Sequence, residues 1–124
     1  MQTDARATAQ DSARALADIS RAIALNPGFA AAYINRAIIS YQRGNFNRAV
    51  IDATRAISLR PDLAEAWNNR ALAWHRLGQY DKAKLDFDQT IRLNKNYGNA
   101  LIVREMASVS PGTLLWDLYK IPPQ

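Results

Sequence analysis

Small and apolar side chains along this chain fall at helical spacing. Tyr33, Arg36, Ala37 and Ser40 share one face at i, i+3, i+4 and i+7, and Ala49, Ala53, Ala56 and Ile57 share another. Gly44 follows the first of these segments, where a helix C-terminus favours a residue free to turn left-handed, and Gly78 follows its counterpart. Pro27 and Pro61 stand just past the second kind of segment and stop it. The pattern predicts a helix A over about 30–43 and 64–77, and a helix B over about 46–59 and 80–93.

The pattern also repeats. Ala32-Tyr33-Ile34-Asn35-Arg36-Ala37 returns 34 residues later as Ala66-Trp67-Asn68-Asn69-Arg70-Ala71, and faintly as Ala100-Leu101-Ile102-Val103-Arg104-Glu105. Ala15/Ala49/Ala83, Asp18/Asp52/Asp86, Ile23/Ile57/Ile91 and Leu25/Leu59/Leu93 keep the same step. A fixed period of this size means stacked helical hairpins, an all-α solenoid, and not one globular core around a catalytic pocket.

These residues resemble the tetratricopeptide repeat family. Its pattern sets an aromatic early in helix A, a small residue four later, a glycine and an aromatic at the turn, small residues in helix B and a closing proline. Residues 30–63 supply Tyr33, Ala37, Gly44, Phe46, Ala49, Ala56 and Pro61; residues 64–97 supply Trp67, Ala71, Gly78, Tyr80, Ala83 and Phe87. The resemblance implies a right-handed superhelix of antiparallel hairpins that serves as a non-catalytic protein-interaction scaffold. Two departures stand out. Lys95 takes the place of Pro27 and Pro61, and Arg36 and Arg70 occupy a position the family usually gives to leucine. Each arginine is expected to pair with a helix-B acid near the unit boundary, such as Asp52 or Asp86.

The domain reading follows the register. Residues 1–10 form an N-terminal extension. Residues 11–112 form the repeat domain: a half repeat over 11–29, full repeats over 30–63 and 64–97, and helix A of a degenerate unit over 98–112. The first helix starts at an Asp11 cap, or runs back through the alanine-rich stretch to about Thr3. Either way one flank of this helix, with Leu16 and Ile19, lacks its usual partner. After Gly112 the register fails: Asp117 stands where Ala49 and Ala83 stood, and Ile121-Pro122-Pro123 ends any helix. The segment 113–124 is nonetheless apolar, with Leu114, Leu115, Trp116, Leu118 and Tyr119. It is either a short helix B that seals its own stack or a segment that docks on another chain. Burial of such side chains contributes about 1.5–3 kcal/mol each and drives either choice.

In the family, helix A lines the concave surface. The matching residues are Ile34, Asn35, Ile38, Tyr41 and Gln42, then Asn68, Asn69, Leu72, His75 and Arg76, then Ile102, Val103 and Met106. An apolar row edged by amides suits a helix or extended peptide; the alternative is that neighbouring helices cover Ile34, Ile38 and Met106. Some relatives grip a peptide's terminal carboxylate with lysine, asparagine and arginine. Those positions fall here on Ile34, Ile38, Asn69, Asn99 and Val103, and only Asn69 fits.

Composition narrows the remaining classes. The 124 residues suit one domain, and the absence of cysteine rules out disulfides and thiolate chemistry. No apolar run reaches the ~18 residues that would cross a membrane. The start has no signal-peptide core, so the expected location is the cytoplasm, or the periplasm if a signal has been removed. The formal net charge is +5. The charges interleave: Arg14/Asp18/Arg21, Arg48/Asp52/Arg55 and Lys82/Asp86/Gln89 read as a solvated helix face with i,i+4 pairs. A nucleic-acid-binding module is the alternative function, and it would need Arg14, Arg21, Arg48, Arg55 and Lys82 as an unpaired row. His75 is the single histidine, Asp86 and Asp88 fall on different helix faces, and no phosphate loop or serine elbow occurs. No enzyme activity, cofactor or metal is expected. The expected partner is a protein or peptide, with homo-oligomerisation through the ends.

Overall fold

The structure is a computed structural model that describes residues 2–97, with side chains from Ala9 onward. Five helices follow one another: α1 (Gln2–Leu25), α2 (Ala30–Gln42), α3 (Phe46–Leu59), α4 (Ala64–Arg76) and α5 (Tyr80–Leu93). Helices α2 and α3 form one hairpin and α4 and α5 the next; α1 packs on α2, and α3 on α4. The described residues contain no strand. This is the expected all-α solenoid, and α2 to α5 fall within a residue of their predicted bounds.

Alanines set the helix spacing. Ala37, Ala49 and Ala53 are at most 1% exposed and pack together inside the first hairpin, while Ala71, Ala83 and Phe87 do so in the second. A methyl at these positions lets the backbones approach, and Phe87 stands in α5 at the register of Ala53 in α3. Between the units, Tyr33, Ile34, Ala56, Ile57 and Ala66 form a separate cluster against which Trp67 packs.

The turns are built twice to one plan. Gly44 and Gly78 have φ of 81° and 80°. Their N–H groups donate to Tyr41 O and His75 O at 3.0 Å, and the next residues, Asn45 and Gln79, donate to Ser40 O and Trp74 O at 2.8 and 2.9 Å. This paired closure satisfies the last helical carbonyls and requires the left-handed residue that glycine supplies. At the other turn the aromatic of helix A reaches back to proline. Tyr33 Oη donates to Pro27 O and Trp67 Nε1 to Pro61 O, each at 2.9 Å. The aromatics therefore fasten the inter-unit turn as well as filling the gap.

The two arginines pair with helix-B acids as expected, and the reading of a fully solvated charged face needs correction. Arg36 grips Asp52 through Nε and Nη2 at 2.8 and 2.9 Å, and Arg70 grips Asp86 in the same way at 2.7 and 2.9 Å. The pairs lie within a unit, helix A to helix B, and the remaining Nη1 of each arginine reaches across the unit boundary to Ser20 or Thr54 at 3.2 and 3.3 Å. Asp52 and Asp86 are accordingly 1% and 4% exposed, so they do not belong to a solvated face. The Asp52 carboxylate also holds the Arg36 guanidinium above its ordinary pKa, chiefly by hydrogen bonding.

α1 resolves the two readings of its start in favour of the longer one: it runs unbroken through Asp11 back to Gln2. Gln10 stands at the register of Gly44 and Gly78, and without that glycine the helix continues where the other units turn.

Candidate functional site

Helices α2 and α4 lie side by side and supply the face expected to receive a partner. Their residues sort into two groups. Asn35, Gln42 and Arg76 are exposed, and Ile38, Tyr41, Asn69 and Leu72 are half-buried. Ile34, Asn68 and His75 are buried. For Ile34, Asn68 and His75 the expectation of a groove residue is corrected: Ile34 belongs to the inter-unit core with Ala56 and Ala66, His75 packs on Tyr80, and Asn68 is enclosed. Close contact between the two A helices hides side chains that one helix viewed alone would present. Ile102, Val103, Met106, Leu114, Leu115, Trp116, Leu118 and Tyr119 lie outside the described residues.

The half-buried apolar residues each pack in part on a core cluster: Ile38 between the units, Tyr41 in the first hairpin and Leu72 in the second. The Tyr41 ring meets Phe46 edge-on at 5.3 Å, and the Arg76 guanidinium lies 4.6 Å from the Phe46 centroid and 5.7 Å from that of Tyr41. Arg76 thus rests on a two-ring shelf with its charge at the surface. Asn69 Nδ2 and Asn68 Oδ1 are closed to solvent with no hydrogen-bond partner among the described residues. His75 packs on Tyr80 with ring centroids 4.8 Å apart. Its burial, with a smaller contribution from the Arg76 charge, lowers its pKa to about 4, so the imidazole is neutral at pH 7. Neutral, buried and packed on Tyr80, the ring contributes to packing here.

The row of cations proposed for nucleic acid is largely engaged. Arg48 contacts Asp52 at 3.4 Å, Arg21 contacts Asp18 at 3.9 Å, Lys82 lies 4.5 Å from the Trp74 ring centroid and Arg55 lies 5.9 Å from that of Tyr33. On α1, Leu16 and Ile19 are half-buried. Leu16 lines an open depression of about 230 Å³ with Ser20, Arg36, Ser40, Asn45 and Arg48. No described helix is long and apolar enough to cross a membrane.

Sequence reasoning missed the Ser20 and Thr54 contacts and the proline-turn hydrogen bonds. A signal existed for both: a hydroxyl residue stands 16 positions before each arginine, and a ring with a polar tip stands six positions after each proline.

Comparison with known proteins agrees with this architecture. No curated protein matches the chain. Among solved structures, the first repeat domain of Spaghetti (RPAP3) bound to the HSP90 peptide SRMEEVD is 20% identical, with a TM-score of 0.78 over 86% of this chain and 85% of that one. The Arabidopsis OM64 repeat domain is 25% identical, with a TM-score of 0.77 over 84% and 86%. The second such domain of human RPAP3, in complex with the HSP70 peptide SGPTIEEVD, is 24% identical, with a TM-score of 0.77 over 88% and 91%. Two family models described as tetratricopeptide repeat match residues 1–63 and 64–97. With its paired hairpins, glycine turns and alanine seams in that same register, the chain belongs to the tetratricopeptide repeat family.

Proposed function

We propose that the chain is a non-catalytic scaffold that holds a segment of another protein along α2 and α4. One observation carries the reading: half-buried Ile38 and Leu72 stand on the A helices with exposed Asn35, Gln42 and Arg76. An apolar strip gives affinity by leaving water, and amides at its edge fix the orientation of a bound backbone. Two of the similar folds carry chaperone tails that end in EEVD. This chain retains one of the polar positions that grip such a tail, Asn69, and sets Ile34 and Ile38 where the cationic and amide pair would stand. The segment it takes is therefore apolar, with hydrogen-bonding groups on one edge, and not an acidic terminus. We further propose that the scaffold self-associates through its ends.

Selection from a displayed peptide library tests the groove. Apolar sequences should be enriched on the wild-type protein and lost on Leu72→Glu. An EEVD peptide titrated by fluorescence anisotropy should show no saturable binding; tight binding of that peptide would overturn the proposed specificity.

A further inference from the structure

α1 has the register of a helix B, and no helix A covers its flank among the described residues. In register, its Ala15, Asp18, Ile19 and Ala22 correspond to Ala49, Asp52, Ala53 and Ala56 of α3. Those four are at most 1% exposed, enclosed in the hairpin and the unit boundary. On α1 the three apolar residues are only half-buried, and the Asp18 side chain is 67% exposed. The flank thus has the shape and charge to receive a helix A with an arginine at the register of Arg36 and Arg70. The chain just before it does not turn back to provide one, because α1 continues straight through Gln10.

Such a helix is written at the other end of the sequence. Residues 98–109 keep the helix-A register, with Ala100 following Ala32 and Ala66, and Arg104 following Arg36 and Arg70. The residues after it make a poor helix B. Lys120 falls where Asp52 and Asp86 accept the arginine, and Asp117 falls where Ala49 and Ala83 sit. Ala37 clusters with Ala49, and Ala71 with Ala83, so Glu105 at the same step would face Asp117, just as Arg104 would face Lys120. Two like-charge pairs removed from water oppose that closure. At those same two positions α1 offers Asp18 and Ala15.

We propose that residues 98–109 of one copy pack on the open flank of α1 of a second copy, with Arg104 gripping Asp18. The helices then alternate A and B across the join as they do within the chain, and repetition of the contact builds a head-to-tail stack. The inference rests on the self-association proposed above and specifies its surfaces.

Sedimentation velocity of the full chain over a dilution series tests it. The wild type should associate with rising concentration to species beyond a dimer. Asp18→Arg and Arg104→Asp should each weaken association by more than about tenfold, since each sets like charges against one another in the contact. An equimolar mixture of the two variants should associate again, because every join then carries opposite charges. Circular dichroism confirms that each variant is folded, and Arg104→Gln replaces Arg104→Asp should the latter fail to fold. A wild type that stays monomeric overturns self-association and this contact together. Association undiminished in Asp18→Arg leaves self-association standing and overturns the contact, as does a mixture of folded variants that stays monomeric.

Discussion

Replacing Arg70 with methionine tests the internal arginine clamp. The change keeps an unbranched apolar stem but removes the guanidinium. Asp86, whose side chain is 6% exposed, then loses two charge-assisted hydrogen bonds, at 2.7 and 2.9 Å, and remains enclosed. Breaking a buried pair in this way costs about 3–5 kcal/mol, mostly as the penalty of an uncompensated buried carboxylate. For a domain whose whole stability is of the order of 5–15 kcal/mol this is a large part. Urea unfolding followed by helical circular dichroism reads it as a fall in midpoint at unchanged slope. Arg70→Met combined with Asp86→Leu should recover most of the loss, because the stranded charge is gone and the replacement has similar volume. The coupling between the two sites should reach about 2–3 kcal/mol. Additivity within about 0.5 kcal/mol would refute the clamp as a buried, mutually dependent pair. The exposed Arg60–Asp62 pair is the control: its two substitutions should leave the midpoint where it was.

Three further outcomes follow from the turns and the buried ring. Gly78→Ala meets no atom within 4 Å but forces a side chain into φ of 80°, so it should lower stability by about 1–2 kcal/mol, measured by thermal melting. Trp67→Phe removes the donor to Pro61 O and should cost about 1 kcal/mol or somewhat more, read in the same way. His75, with a folded pKa of about 4, binds its proton more weakly than in the unfolded chain. Its contribution is intact above about pH 6.5 and is lost as pH falls from there toward 4, a loss of about 2 kcal/mol by pH 5. A folded His75→Gln variant should show a correspondingly shallower fall in unfolding midpoint between pH 7 and 5, and an unchanged slope would contradict the assignment.

Local chemistry made the helices readable. Gly44 and Gly78 mark helix ends because only a left-handed residue closes those turns, and Pro27 and Pro61 mark stops because proline has no N–H to continue with. Contacts between helices were harder to read. Asp52 lies four residues after Arg48, and that spacing suggests a surface pair; its stronger partner, Arg36, stands 16 residues away on another helix. Ile34 and His75 look like groove residues on a single helix, and their burial comes from packing that a one-helix projection omits. The clamp was nevertheless foreshadowed by arginine in place of the usual leucine, recurring in step with an aspartate.

The Nη1 contacts of the two arginines have a consequence for how such a chain can change in length. Arg36 reaches Ser20 and Arg70 reaches Thr54, so each unit greets its predecessor through a hydroxyl at one fixed step. Excising residues 30–63 as a block would present Ser20 to Arg70 and leave the receiving chemistry the same. Units are thereby interchangeable parts with a common coupling, and the scaffold can be lengthened or shortened by whole modules without a new packing solution at the splice.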